Sequence, residues 1–110
     1  MDAEPLAERS CIPCRGGVPP LTPEEYKPLL EQLPEWEVVF DHHLQRDFTF
    51  KDFVTALDFV NRAAAIAEEQ GHHPEITLGW GHALVRLWTH KIDGLTESDF
   101  VLAAKFDALA

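Results

Sequence analysis

The chain is poor in the residues that build several common architectures. Its 2 cysteines, Cys11 and Cys14, are too few for a disulfide scaffold, so a cytoplasmic setting is expected. No window approaches the ~18 consecutive apolar residues that a membrane span needs. Serine occurs only at Ser10 and Ser98, neither in the strand-to-helix elbow of a serine nucleophile. A glycine-rich phosphate loop is also missing. Bases are scarce: 9 Lys+Arg stand against 19 Asp+Glu, a net charge of −10. That balance argues against direct nucleic-acid binding, which needs clustered cations. The first residues, MDAEPLAERSC, are acidic and lack the basic and apolar regions of a signal peptide. A length of 110 residues supports one domain with one core, with little room for a separate cofactor-binding domain.

What is present divides unevenly. Residues 1–20 hold four of the 8 prolines, two of the 6 glycines and no aromatic residue. They read as a flexible lead-in carrying the Cys11-x-x-Cys14 pair, and residues 21–110 as the folded domain. With no second Cys pair, a complete zinc site within one chain is not expected. Thr22-Pro23-Glu24-Glu25 signals a helix start, with apolar Tyr26, Leu29, Leu30 and Leu33 behind it and Pro34 as its stop. Trp36, Val38 and Phe40 alternate with acids, and after a turn at Asp41–His43 a second alternating run carries Leu44 to Phe50. Together they read as a hairpin. A long helix is expected from about Phe50 to Gln70, capped by Thr49 and Asp52, with a stripe of Phe53, Leu57, Val60, Ala64 and Ala67. Phe59, Ala63 and Ile66 widen that stripe, and Gly71 ends the helix. A second hairpin runs through Ile76, Leu78 and Trp80, turns at Gly81-His82 and returns over Ala83–Lys91. A last helix starts at Thr96. The order α-β-β-α-β-β-α predicts an α+β domain: a four-stranded antiparallel sheet with helices packed on one face.

The chemistry concentrates in histidine. His42-His43 and His82 fall at turns and read as solvated. His72-His73-Pro74 falls where a long helix meets a strand, and Pro74 holds His73 extended. Glu68 lies one helical turn before His72. A symmetric second hairpin would set His90 across from His72 or His73. Adjacent extended residues point to opposite faces, so the pair is poorly suited to share a metal, and no metal site is expected. Imidazoles near ~6.5 can both give and take protons at neutral pH, which points to general acid–base chemistry. Trp88 shares a strand face with His90 and reads as sheet packing or as a ligand-stacking wall. Asp99 has the spacing of the helix-capping partner of Thr96.

These residues resemble a known family. Glu68-x-x-Gly71-His72-His73-Pro74-Glu75, Thr89-His90 and Gly94-Leu95-Thr96-Glu97-x-Asp99 are similar to the pterin-4a-carbinolamine dehydratases. So are Trp36 and Arg46-x-Phe48-x-Phe50-x-Asp52-Phe53, and the Cys11–Cys14 tail is similar to that of bacterial members. The resemblance spans residues 11–110. It implies dehydration of 4a-hydroxytetrahydropterin to a quinonoid dihydropterin, in tetrahydropterin recycling after aromatic amino acid hydroxylation, with no cofactor. It carries the active-site role to His72, His73 and His90. Supporting positions are Glu68, Pro74, Trp88, Thr89, Asp99 and Trp36. Gly71 stands where some members have aspartate, and Ile76 where some have an aromatic. The resemblance also implies homodimers or homotetramers. Its alternative is a binding module, since some animal members are dimerisation cofactors of a homeodomain transcription factor.

Overall fold

The computed structural model describes residues 5–11 and 18–110. Among them a 3-10 turn, Leu6–Glu8, is followed by α1 (Pro23–Leu30), β1 (Glu37–Val39) and β2 (His43–Thr49). Then come α2 (Phe53–Gln70), β3 (Glu75–Gly79), β4 (His82–Leu87) and α3 (Glu97–Asp107). The strands form one antiparallel sheet in the order β1-β2-β4-β3, so the α+β architecture is the one expected. Cys14 lies outside the described residues.

Strand periodicity decides which face the helices cover. Leu44 and Phe48 of β2 and Ala83, Val85 and Leu87 of β4 are buried on one face. Against it lie Phe59 and Ala63 of α2 and Phe100, Val101 and Phe106 of α3, all in one cluster. Phe59 packs on Phe48 and Phe50, with ring centroids 4.5 and 5.2 Å away. Burying one such side chain is worth roughly 1.5–3 kcal/mol. The opposite face is polar, with His82 paired to Asp47 at 3.0 Å and Arg86 donating to Gln45 at 3.1 Å.

Several boundaries differ from those expected. Phe40 leaves the strand. It and Asp41 have φ of 53° and 54°, and the His42 N–H bonds to the Val39 carbonyl at 2.9 Å. Two successive positive φ values make a type I′ hairpin turn. Phe40 is 93% exposed there, and Tyr26 donates its hydroxyl to Asp41. The turn therefore ends a residue early, and His43 opens β2. The α2 cap is Asp52 alone, whose carboxylate accepts the Thr55 N–H at 2.8 Å. Phe50 stays outside the helix because its N–H is taken by Gly81 at 2.8 Å. The α2 stripe is also rotated: Ala56, Phe59, Ala63 and Ala67 are buried, while Phe53 and Leu57 are exposed. α1 ends at Leu30, ahead of Pro34, because the chain tightens through i+3 bonds from Gln32 to Leu29 and from Leu33 to Leu30. β4 stops at Leu87 instead of reaching Lys91, and Trp80 sits in the hairpin turn, exposed.

The described part of the lead-in is docked. Leu6 is buried, Lys105 of α3 donates to the Ala7 carbonyl at 2.8 Å, and Arg9 pairs with Glu97 at 2.9 Å. The Cys11 N–H bonds to the Gln70 side chain at 2.8 Å.

Candidate active site

The site is built where α2 runs into β3. Gly71 adopts φ 66°, a left-handed stop. The His72 N–H then bonds back to the Ala67 carbonyl at 3.2 Å. This reversal, followed by Pro74, sends the two histidines to different partners. His72 turns inward and its Nε2 donates to Asp99 Oδ1 at 2.6 Å. His72 is 12% exposed and Asp99 is fully buried. A carboxylate only accepts, so the proton sits on Nε2 and Nδ1 of a neutral ring is left as an acceptor. His73 turns outward and its Nε2 pairs with Glu68 Oε2 at 2.5 Å, both residues being exposed.

Asp99 is the hub of the inner network. Its Oδ2 accepts the Thr89 hydroxyl and the Thr96 N–H, each at 2.9 Å. The Thr89 and Thr96 hydroxyls are themselves 2.9 Å apart. The capping role that spacing gave Asp99 is therefore real, and its other oxygen holds His72. Thr89 directly precedes His90, so one carboxylate joins the segment of His72 to the segment of His90.

His90 does not lie across a ladder from His72 or His73. Past Leu87 the chain folds through a turn in which Thr89 bridges Gly94 and Asp93 takes φ 56°. His90 is exposed on this turn, with its ring stacked on Trp88 at 4.5 Å and 25°. Neither ring nitrogen of His90 has a hydrogen-bond partner among the described residues, and no hydrogen bond or ring contact joins two of the three imidazoles. Pro74 is half-buried beside His73. Trp36 is elsewhere: it is buried in the core, with Nε1 donating to Asp107 at 2.8 Å. Asp107 and Asp99 lie at opposite ends of α3, roughly 12 Å apart along the helix axis.

Sequence reasoning overlooked the surroundings of Trp88. The rings of His42 and His43 lie 5.2 and 5.9 Å from it, and His42 Nε2 bonds to Asp93 at 2.9 Å. Burial, with His42 and Arg86 close by, lowers the His43 pKa from its ordinary 6.5. No spacing rule links a hairpin turn to a strand end about fifty residues later. Cys11 is half-buried, its thiol 3.6 Å from the Ser98 carbonyl, and burial pushes its pKa up to about 11. It is therefore a protonated thiol at neutral pH and a poor nucleophile. Among the described residues no three His, Cys, Asp or Glu side chains are grouped to hold a metal ion.

An antiparallel sheet with helices on one face and an imidazole–carboxylate network at one end defines the class, a small α+β protein with a histidine site. The chain belongs to the pterin 4 alpha carbinolamine dehydratase family, whose sequence profile matches residues 19–109. A protein of Rubrobacter xylanophilus with the provisional name pterin-4-alpha-carbinolamine dehydratase is 64% identical over 104 residues, 94% of this chain and 97% of that one. A Rickettsia bellii protein of the same name is 52% identical over 105 residues, 94% and 93% of the two chains. Among solved structures, a Brucella melitensis protein described as a transcriptional coactivator/pterin dehydratase superposes with a TM-score of 0.79 at 39% identity. The match covers 83% of this chain and 98% of the other. A pterin dehydratase-like protein described as a RuBisCO assembly factor in the alpha-carboxysome matches with a TM-score of 0.60 at 28% identity, over 69% and 89% of the two chains.

Proposed function

We propose that the protein dehydrates a 4a-hydroxytetrahydropterin, with His90 and one member of the His72–His73 pair as the proton-transfer groups. An acid delivers a proton to the C4a hydroxyl, the C4a–O bond breaks and water leaves. The N5 lone pair forms the C4a=N5 bond, and a base takes the N5 proton. The product is the quinonoid dihydropterin, and one acid and one base suffice. The remaining histidine of the pair binds or orients the ring, Trp88 offers it an aromatic wall, and Glu68, Pro74, Thr89 and Asp99 hold the histidines. Trp36 supports the sheet from within the core.

The observation that carries this reading is the Asp99 bridge, which ties the chain at His72 to the chain at Thr89-His90 through a fully buried carboxylate. The ring nitrogens of His90, which have no hydrogen-bond partner among the described residues, agree with it, because a group that exchanges protons with substrate needs a nitrogen not already engaged. The binding-module alternative draws on half of the Brucella description only, whereas the Rubrobacter and Rickettsia relatives carry the dehydratase name alone. We place the reaction in the cytoplasm, on the low cysteine content, and in a dimer or tetramer. Assembly is supported by two sheet edges, β1 and β3, that pair with no further strand among the described residues, and by exposed Phe53, Val54 and Leu57 on α2.

The test is a dehydration assay with 4a-hydroxytetrahydropterin and the purified chain. Turnover well above the spontaneous rate is the expected result, and no acceleration would overturn the assignment. His72→Ala and His90→Ala are each expected to lower turnover at least ~tenfold while leaving the circular dichroism spectrum intact. Unchanged turnover in both would remove the histidines from the mechanism.

A further inference from the structure

The His42–His43 pair is not a solvated turn. His42 Nδ1 meets His43 Nδ1 at 3.0 Å, and His42 Nε2 meets Asp93 Oδ1 at 2.9 Å. With both rings neutral, one arrangement of protons satisfies both contacts: His43 donates from Nδ1 to His42, and His42 donates from Nε2 to the carboxylate. An imidazolium at His42, donating from both ring nitrogens, satisfies them as well. Asp93 belongs to the turn that carries His90. Its N–H bonds to the Thr89 and His90 carbonyls at 2.9 and 3.2 Å, in a left-handed conformation that aspartate tolerates better than most side chains do. The two histidines also reach His90 by a second route. Both rings lie against Trp88, at 5.2 and 5.9 Å, and Trp88 stacks on the His90 ring at 4.5 Å. The first hairpin turn is thus connected to the His90 turn once by a hydrogen bond and once by a row of rings.

We propose that His42 and His43 position the His90 imidazole, His42 by holding Asp93 and both rings by backing Trp88. The proposal rests on His90 being a proton-transfer group. His90 has no hydrogen bond of its own among the described residues to fix its ring, unlike His72, which is held by Asp99. Its orientation therefore depends on the stacked Trp88 and on the shape of the turn. Each of these has one of the two histidines, or both, behind it. An exposed ion pair such as His42–Asp93 contributes little to stability by itself, so its effect should be seen in ring placement rather than in folding. Small misplacements of a reacting group are costly in rate.

The test uses the full chain with His42→Ala, His42→Gln and His42→Phe. It reads kcat and KM for carbinolamine dehydration alongside the His90 ring signals in a long-range proton–nitrogen NMR spectrum. His42→Ala is expected to lower kcat about tenfold with KM held, and to shift the His90 ring signals while those of His72 stay in place. His42→Gln, whose amide still reaches Asp93 as a donor, is expected to recover most of the rate. Unmoved His90 signals with unchanged kcat would overturn the proposal. So would equal losses in His42→Ala and His42→Gln with the His90 signals unmoved. Should His42→Ala fail to fold, His42→Phe, which keeps a ring against Trp88 and loses the bond to Asp93, carries the test through the same His90 signals, and the proposal falls if they do not move. A His90→Ala variant that keeps full turnover would sink the role of His90 in proton transfer. The ring signals would still report positioning, so the two failures are told apart.

Discussion

Asp99 has three donors aimed at two oxygens in a fully buried position, and its loss leaves those donors without partners. Asp99→Ala is expected to cost about 2–4 kcal/mol, read as a lowered midpoint of urea unfolding. Asp99→Asn keeps the volume and should cost less stability, yet its amide nitrogen cannot accept, so turnover should still fall. His43 gives a pH dependence with a definite sign. Its folded-state pKa lies below its ordinary 6.5, so the unfolded chain takes up that proton first as pH falls. The stability it contributes is complete above about pH 6.5 and is lost as pH falls through the folded value. Urea midpoints measured from neutral to mildly acid pH should fall more steeply for the native chain than for His43→Gln, and equal slopes would refute this. Parts of the candidate site were legible from residue types: the helix–strand junction singles out His72-His73 and the cap spacing finds Asp99, whereas the ladder pairing expected to bring in His90 does not form, and His90 and Thr89 rest on the resemblance. The network at His42 was not legible, because its contacts cross 51 positions and depend on a hairpin turn whose type the residues do not advertise.

Element boundaries followed the strong local signals and missed where a tertiary partner intervened. Gly71 and the Thr22 capping box set helix ends that any reading of caps finds. Phe50 has the apolar character of a helix start, but its N–H is already committed to the neighbouring hairpin. Phe40 has the character of a strand residue, but its backbone is left-handed. This makes the β1–β2 turn a point of stored strain: a bulky, almost fully exposed side chain holds φ 53° and receives no burial in return. Phe40→Asn is expected to stabilise the fold by about 0.5–1 kcal/mol, because asparagine tolerates that conformation better. A rise in the thermal midpoint would show it. The opposite change is Gly71→Ala. Beyond its chain neighbours and its own helix, no atom of the described residues lies within 4 Å of the added methyl, so its cost is that of the left-handed backbone alone, about 1 kcal/mol.

At the scale of the molecule, the sheet of the described residues has one covered face and two edges without a further strand, and α2 has an apolar side that nothing within the described residues covers. If copies associate there, placing charge on that side must weaken assembly before it weakens the fold. Val54 and Leu57 are exposed, so Val54→Glu with Leu57→Glu should leave the helical spectrum intact and lower the mass seen by light scattering. An unchanged mass would exclude α2 from the interface. The contact between the lead-in and α3 concerns time rather than space. Lys105 and Ala7 are 98 positions apart. At a synthesis rate of roughly 5–20 residues per second, the N-terminal turn waits about 5–20 s on the ribosome before its partner exists. Leu6–Glu8 are thus among the last residues to find their place. A nascent-chain protease protection experiment should find Leu6–Glu8 cleavable until α3 has emerged.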